Sequence, residues 1–146
     1  MDARWQPDAK QIIYTFTDPN CPYCHRFRTQ ASPWIDAGLV QFRHIVVGIL
    51  APSSLEKAAV ILASEDPEKA LGINRERHSK GGIKIDKELV AKGTALVEEN
   101  NKLMRSLGLF ATPSSYYFDE KGDIQSIQGL PQGKMFATVM GSPKPK

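Results

Sequence analysis

The sequence has only two cysteines, Cys21 and Cys24, which is too few for a disulfide scaffold. Any chemistry of these thiols is therefore local, and a hydrophobic core must hold the fold together. No apolar run approaches the roughly 18 residues of a membrane span. Residues 1–7 also lack the apolar stretch of a signal peptide. That pattern fits a cytosolic protein and equally an exported domain whose leader is not included.

Neither sign of charge dominates the chain. The formal net charge is +3, and 24% of the residues are charged. This is well short of the clustered positive surface that binds a phosphate backbone, so we expect no nucleic-acid partner. An apolar content of 41% in 146 residues is typical of one globular domain, which we expect to span residues 1–146.

The pattern of apolar residues predicts a mixed α/β protein. Residues 11–17 are β-branched and aromatic, as in a buried strand, and a turn at 18–20 leads into a helix from 22 to about 36. Pro33 predicts a kink or a fresh start in that helix, with Ser32 as its cap. Residues 39–49 are rich in Val, Ile and Phe and predict a second strand.

Helices dominate the middle of the chain, and a hairpin follows it. A capping box that begins at Ser53 opens a helix to about residue 64, and Asp66 caps a short helix through 71. Residues 75–82 predict a solvated loop, and an amphipathic helix runs from Thr94 to Gly108. The remaining predicted elements are strands at 114–118 and 123–128 and a closing helix at 132–140.

The informative motif is Cys21-Pro-Tyr-Cys24, at the point where the first strand becomes a helix. This spacing lets two sulfurs approach within bonding distance. Pro22 suits the first helical position, which makes Cys21 the cap and directs free N–H groups at its sulfur. The helix dipole then favours a thiolate, so Cys21 is the expected nucleophile. Cys24 lies one turn deeper, and we expect it to be less exposed, less acidic and the resolving thiol.

Other interpretations of the motif remain open at this stage. The cysteines could be buried apolar filler or part of a zinc site, although His25, His44 and His78 lack the usual ligand spacing. Cys21-Pro-Tyr-Cys24-His25 also satisfies the pattern for covalent haem attachment, which would make the chain a c-type electron-transfer protein. A further alternative is a binding module without turnover. In the redox interpretation Pro22 and Tyr23 tune the potential, and a positive His25 acidifies Cys21 further.

Three other segments carry weaker signals. Thr112-Pro113 immediately precedes a predicted strand, and a plain trans turn would be the ordinary expectation there. Asp18 could accept a proton near Cys24, but Asp-Pro-Asn favours a structural turn. The charged residues 75–80 are interpreted as a solvated loop and not as a binding patch.

Two segments resemble a known family. Phe16-Thr-Asp-Pro-Asn-Cys-Pro-Tyr-Cys-His25 and Ala111-Thr-Pro-Ser-Ser-Tyr-Tyr117 are similar to the catalytic domain of the DsbC/DsbG periplasmic thiol:disulfide isomerases and reductases, with the DsbG branch most alike. The likeness extends from about residue 11 to 141.

The resemblance implies a thioredoxin-like fold with a helical insertion at about 52–108 and a cis peptide between Thr112 and Pro113 facing the cysteines. Thr112 and Pro113 would then bind an extended substrate strand. The family attacks disulfides or oxidised cysteines of exported proteins through a mixed disulfide, is recharged by a membrane thiol reductase of DsbD type, and works in the periplasm without a cofactor or metal. Its N-terminal dimerisation domain has no counterpart here, so we expect a monomer that retains thiol exchange with weakened isomerase activity.

Overall fold

The computed structural model describes residues 9–146, which form one α/β unit. The strands and helices, in chain order, are β1 (Gln11–Thr17), α1 (Pro22–Asp36), β2 (Val40–Val46), α2 (Pro52–Ala63), α3 (Pro67–Glu76), a 3-10 turn (His78–Lys80), α4 (Lys87–Ser106), β3 (Ser114–Phe118), β4 (Ile124–Gln128) and α5 (Lys134–Met140). Among these helices, none has the length and apolar content needed to cross a membrane.

The sheet has four strands in the order β2-β1-β3-β4. Strand β1 pairs in parallel with β2 and antiparallel with β3, and β3 pairs antiparallel with β4. The β1–β2 pair therefore needs a crossover, which α1 supplies, whereas β3 and β4 need only a short hairpin. This is the mixed sheet of a thioredoxin-like fold, and the helical insertion is present as α2, α3, the 3-10 turn and α4.

Helix α1 is positioned by an apolar stripe. Its buried residues recur at helical spacing, which turns one face toward the sheet: Cys24, Phe27, Arg28, Ala31, Trp34 and Ile35. Phe27 packs on Phe42 of β2 and on Phe136 of α5, with ring centroids 4.9 and 5.8 Å apart. The motif at the start of α1 is thus fixed to a packed core and does not sit on a free loop.

Pro33 does not break α1. The helix continues through it, and the Ser32 hydroxyl donates to the Arg28 carbonyl at 3.3 Å and caps no new helix. The missing N–H of Pro33 leaves the Thr29 carbonyl without a helical donor, but Thr29 is exposed and water can supply one. Of the two outcomes expected at Pro33, a kink or a fresh start, the fresh start was therefore wrong.

The insertion differs from the sequence-based expectation at its helix ends. Helix α2 is capped at Ala51 and not at Ser53, since the Ser54 hydroxyl accepts the Ala51 N–H at 3.1 Å. Helix α3 continues to Glu76, five residues past the expected end, and α4 begins at Lys87 because the Asp86 carboxylate caps it. Strand β2 is shorter than expected and ends at Val46.

Candidate active site

Cys21 is the residue that caps α1. Its backbone is extended, Pro22 follows in the first turn, and its Sγ accepts the N–H of Cys24 at 3.2 Å. A sulfur in this position faces the unpaired N–H groups and the positive end of the helix dipole. The cap predicted from the sequence is confirmed, and both cysteines are free thiols.

The surroundings of Cys21 favour its thiolate. The hydrogen bond from the Cys24 thiol contributes most, and the Thr112 side chain and the backbone N–H groups of Cys24 and Tyr23 add to it. Against the opposing effect of burial, these donors lower the pKa of Cys21 from 9.0 to about 6. Near neutral pH the sulfur is therefore mostly ionised, as a nucleophile and a leaving group require.

Cys24 behaves in the opposite way. Burial raises the pKa of its thiol strongly, and the neighbouring Cys21 sulfur raises it further by hydrogen bond and by charge. The Thr17 side chain and the Asp18 backbone donate to it but do not reverse the shift. Cys24 is thus a neutral thiol at neutral pH, as expected for the less acidic member of the pair.

The exposure of the two thiols is not as expected. Cys21 is 3% exposed and Cys24 is 7% exposed, so Cys21 is at least as well covered as Cys24. The reason lies in the segment before β3, where the Thr112 carbonyl approaches Cys21 Sγ to 3.4 Å. Tyr23, between the cysteines, is 53% exposed, and its ring lies 5.6 Å from the Arg26 guanidinium carbon.

The structure brings the second predicted motif to the first. The peptide bond between Thr112 and Pro113 is cis, as the resemblance implied. The Thr112 carbonyl oxygen lies 3.4 Å from Cys21 Sγ, across 91 residues of chain, and accepts a hydrogen bond from it while the thiol is protonated. A substrate strand laid along Thr112 would therefore lie beside the Cys21 sulfur.

Asp18 has the structural role that its turn sequence favoured. Its carboxylate accepts the backbone N–H groups of Asn20, Ile49 and Leu50 and the hydroxyl of Ser54, at 2.8 to 3.0 Å. Four donors fill the capacity of a carboxylate. The aspartate therefore fastens the turn before Cys21 to the start of the insertion.

A small cavity beside the cysteines was not foreseen from the sequence. It has a volume of about 30 Å³ and is lined by Cys21, Cys24, Thr17, Asp18, Pro19, His25, Arg28, His44, Leu71, Asn74, Arg75 and His78. Arg75 and His78 belong to the segment interpreted as a solvated loop; that interpretation was wrong for Arg75, which lies in α3, whereas His78 is exposed in the 3-10 turn. Asn74 causes the difference, since its side chain donates to the Pro19 carbonyl at 2.9 Å and holds this end of α3 against the motif.

His25 does not supply the positive charge expected of it. Its ring stacks on that of His78 with centroids 4.4 Å apart. Burial, and then the charges of His78 and Arg75, lower the pKa of His25 below 6.5, so the ring is neutral at pH 7. The lowered pKa of Cys21 comes from hydrogen-bond donors instead.

The site does not fit covalently attached haem. Both thiols are buried, the Thr112 carbonyl lies against Cys21, and the His25 ring is stacked on His78. A cavity of about 30 Å³ has room for one water and is far too small for a macrocycle.

The sequence is similar to known proteins over nearly its full length. Residues 3–142 match the family described as Thioredoxin-like domain. The chain is 42% identical over 139 residues to the thiol:disulfide interchange protein DsbG of Pseudomonas aeruginosa, covering 95% of this chain and 54% of that protein. It is 38% identical over 135 residues to DsbG of Escherichia coli, covering 92% of this chain and 54% of that protein. It thus spans about half the length of these curated relatives.

Solved structures agree on the fold. The catalytic domain of Proteus mirabilis ScsC superposes with a TM-score of 0.67 at 22% identity, covering 91% of this chain and 82% of that one. Pseudomonas aeruginosa DsbA2 gives a TM-score of 0.65 at 16% identity, covering 90% and 87%. By family match, sheet order and the likeness to DsbG, this chain belongs to the thioredoxin-like domain family.

Proposed function

We propose that this chain is a DsbG-like thiol–disulfide oxidoreductase that reduces or isomerises disulfides, or reduces oxidised cysteines, in exported proteins. The proposal rests on one observation: the two thiols lie within one helical turn, and their pKa values are shifted in opposite directions. The pKa of Cys21 is lowered to about 6, whereas burial raises that of Cys24. Such a pair can attack with one sulfur and keep the other neutral until it is needed.

The proposed cycle has two steps. The Cys21 thiolate attacks a substrate disulfide, forming a mixed disulfide and releasing one substrate thiolate. With a sulfenic acid as substrate, the same attack releases hydroxide. The Cys24 sulfur then attacks Cys21, closing the Cys21–Cys24 bond and releasing the second substrate sulfur as a thiol. Two electrons pass from the cysteine pair to the substrate, and the protein ends oxidised.

Substrate binding and tuning are assigned to residues around the pair. We assign the substrate strand to Thr112 and Pro113, because Thr112 lies against the Cys21 sulfur. Pro22 and Tyr23 are assigned to tuning, since one starts the helix and the other's backbone N–H stabilises the thiolate. His25 remains a tuning residue in this proposal, acting as a neutral ring that closes one side of the site.

The partners and location follow from the same proposal. The substrates would be exported proteins held by a mixed disulfide, and a membrane thiol reductase of DsbD type would return the pair to the dithiol state. The supporting fact is the identity of 42% and 38% to proteins named thiol:disulfide interchange protein DsbG. We place this activity in the periplasm and expect the 146-residue chain to act as a monomer.

Trapping of covalent complexes tests the function. A Cys24→Ser variant should attack substrate disulfides through Cys21 and then stop, so mixed disulfides accumulate and run as reducible higher-mass species on non-reducing gels. The matched control is Cys21→Ser with Cys24 retained, which should trap little because its only thiol is buried and neutral.

The same experiment separates exchange from binding alone. If Cys24→Ser accumulates no covalent complex with a disulfide-bonded protein or with a small disulfide, exchange through Cys21 is excluded. A binding module without chemistry would then explain the fold.

A further inference from the structure

Resolution of the mixed disulfide requires Cys24 to lose a proton. Burial raises the pKa of Cys24, so its thiol does not ionise by itself at neutral pH. Asp18, the carboxylate that lines the same cavity as Cys24, already accepts four hydrogen bonds and has no lone pair left for a further proton donor. A different group has to accept the Cys24 proton.

The cavity beside Cys24 offers a route for that proton. Its volume of about 30 Å³ is enough for one water, and although the larger part of its wall is apolar, its lining includes the side chains of His25 and His44, which can bond to that water. His25 Nδ1 is buried and, within residues 9–146, has no hydrogen-bond partner. A buried polar nitrogen of this kind normally bonds to protein or to water, which indicates a water in this cavity.

Across the cavity from the motif stands a histidine that a carboxylate orients. His44 of β2 contacts Glu68 of α3 through Nδ1 only, at 3.0 Å to one carboxylate oxygen and 3.2 Å to the other. The His44 side chain is 6% exposed and that of Glu68 is 34% exposed. When Nδ1–H donates to a carboxylate, Nε2 is left as the nitrogen that can accept a proton.

The Glu68 carboxyl group is ionised at neutral pH. Burial raises its pKa, but the hydrogen bond and charge of His44, with the charges of Arg75 and Arg28, hold the pKa below its usual value of 4.5. An ionised Glu68 fixes the proton of His44 on Nδ1. It also compensates the positive charge that His44 gains when Nε2 accepts a proton.

We propose that His44, oriented by Glu68, accepts the proton of Cys24 through a water in this cavity as Cys24 resolves the mixed disulfide. This inference rests on the proposed function and deepens it. As the Cys24 S–H bond breaks, its proton passes by way of the water to His44 Nε2. The Cys24 sulfur bonds to Cys21, the bond from Cys21 to substrate breaks, and the substrate thiolate recovers a proton from the imidazolium. Glu68 is a positioning residue in this step.

Other charged or titratable groups face the same cavity. They come from each element packed against His44 and Cys24: Cys21, His25 and Arg28 of the motif and α1, Asp18 of the turn, Arg75 of α3 and His78 of the 3-10 turn. The charges of Arg75 and Arg28 act on Glu68, whose pKa they help to lower, and Glu68 in turn contacts His44.

A single-turnover reaction with an aromatic disulfide whose thiolate absorbs visible light tests the route. Attack by Cys21 releases one coloured thiolate, and resolution by Cys24 releases the second, so one trace reports both steps. His44→Gln should slow the second phase by about 100-fold at pH 7, the usual loss when a general base is removed. Its rate should then rise with hydroxide across the whole pH range, whereas the unmodified protein reaches a plateau. The first phase should stay within about twofold.

Matched variants keep the test decisive. Glu68→Gln should also slow the second phase and alter its pH profile, whereas Glu76→Gln, the same change at an exposed position of α3, should do neither. If His44→Gln does not fold, Glu68→Gln alone must show the altered profile. If the second phase of His44→Gln and of Glu68→Gln matches that of Glu76→Gln in rate and pH profile, the proton route is overturned. Loss of the first phase in the unmodified protein overturns the proposed function instead.

Discussion

The ionisation of one thiol depends on a few donors that surround it. Cys21 and Cys24 are three residues apart, yet the first is acidic and the second is not. The first faces the open N–H groups of a helix start, whereas the second is one turn inside, where burial dominates. Helix geometry therefore divides the two roles, and the side chains of Cys24 and Thr112 refine them.

A pH titration of the Cys21 thiol checks this account. Thiolate absorbance of the reduced protein should give a midpoint near pH 6. Cys24→Ala should move the midpoint upward, toward 9.0, because it removes the largest cause of the lowered pKa, while the backbone donors keep it below that value. Thr112→Ala should raise it by a smaller amount. A midpoint that Cys24→Ala leaves unchanged would show that the helix terminus alone sets the acidity.

What the sequence predicts about single residues depends on distance along the chain. The positions of Cys21 as the helix cap, Pro22 in the first turn and Cys24 one turn deeper were predicted correctly, because their relation is local and helix geometry determines it. The cavity-lining residues His44, Arg75 and His78 come from three elements, and no local pattern joins them. Residues 76–80 are exposed, as predicted for a solvated segment. The bond from Asn74 to the Pro19 carbonyl holds this end of α3 against the motif, which no local pattern predicts.

Helices α2 and α4 form the support of the insertion, and they pack closely because small residues face each other. Ala58 and Ala59 of α2 are fully buried. Gly93 of α4 lies directly on the backbone of Ala59, where an added Cβ would be 2.8 Å from the Ala59 Cα and closer still to its carbonyl carbon and oxygen. No side chain fits there without moving one helix away from the other.

Gly93→Ala should therefore destabilise the protein although alanine is the better helix former. Separating the two backbones should cost about 1–3 kcal/mol, as overpacking in a core usually does. The matched control is Gly72→Ala in α3, whose added Cβ would come no nearer than 3.5 Å to the end of the Arg75 side chain. That change should stabilise by about 0.5–1 kcal/mol through helix propensity. Urea unfolding measures the free energy of unfolding of both variants. Equal unfolding midpoints for Gly93→Ala and Gly72→Ala would contradict the packing argument.

Elements whose ends are set by nearby residues were predicted best. The bounds of β1, α1 and β3 agree with the expectation, because turns and Pro22 mark them locally. The lengths of α3 and β2 were wrong, since tertiary contacts fix where each ends. In α3, for example, the Asn74 side chain bonds to the Pro19 carbonyl, which is 55 residues away along the chain.

The molecule as a whole ties the redox motif to the insertion. The Asp18 carboxylate and the Asn20 side chain bond to the hydroxyl of Ser54, and Lys57 donates to Asn20 at 2.6 Å. These contacts, with that of Asn74, hold the turn before Cys21 from two helices of the insertion. Changes in the charge of Cys21 should therefore be measurable as changes in the stability of the entire domain.

The stability difference between the reduced and the oxidised protein should depend on pH in a defined direction. The pKa of Cys21 is about 6 in the folded protein and 9.0 as an ordinary thiol in the unfolded chain. The ionised thiol therefore stabilises the reduced fold fully above pH 9.0, and this stabilisation is lost as pH falls through about 6. The Cys21–Cys24 disulfide has no such group. The reduced-minus-oxidised free energy of unfolding should thus rise from pH 6 to pH 8, with a slope of at most about 1.4 kcal/mol per pH unit for one proton.

Other titrating groups do not imitate this slope. The lowered pKa of His25 affects both redox forms alike and cancels in the difference. The raised pKa of Cys24 reduces stability only above 9.0, outside the measured range. Urea unfolding of both forms at several pH values, beside a Cys21→Ser/Cys24→Ser variant as the thiol-free reference, gives the difference directly. A difference that stays flat between pH 6 and pH 8 would mean that the Cys21 thiolate is no better stabilised in the folded chain than in the unfolded one, and the driving force assigned to the motif would be absent.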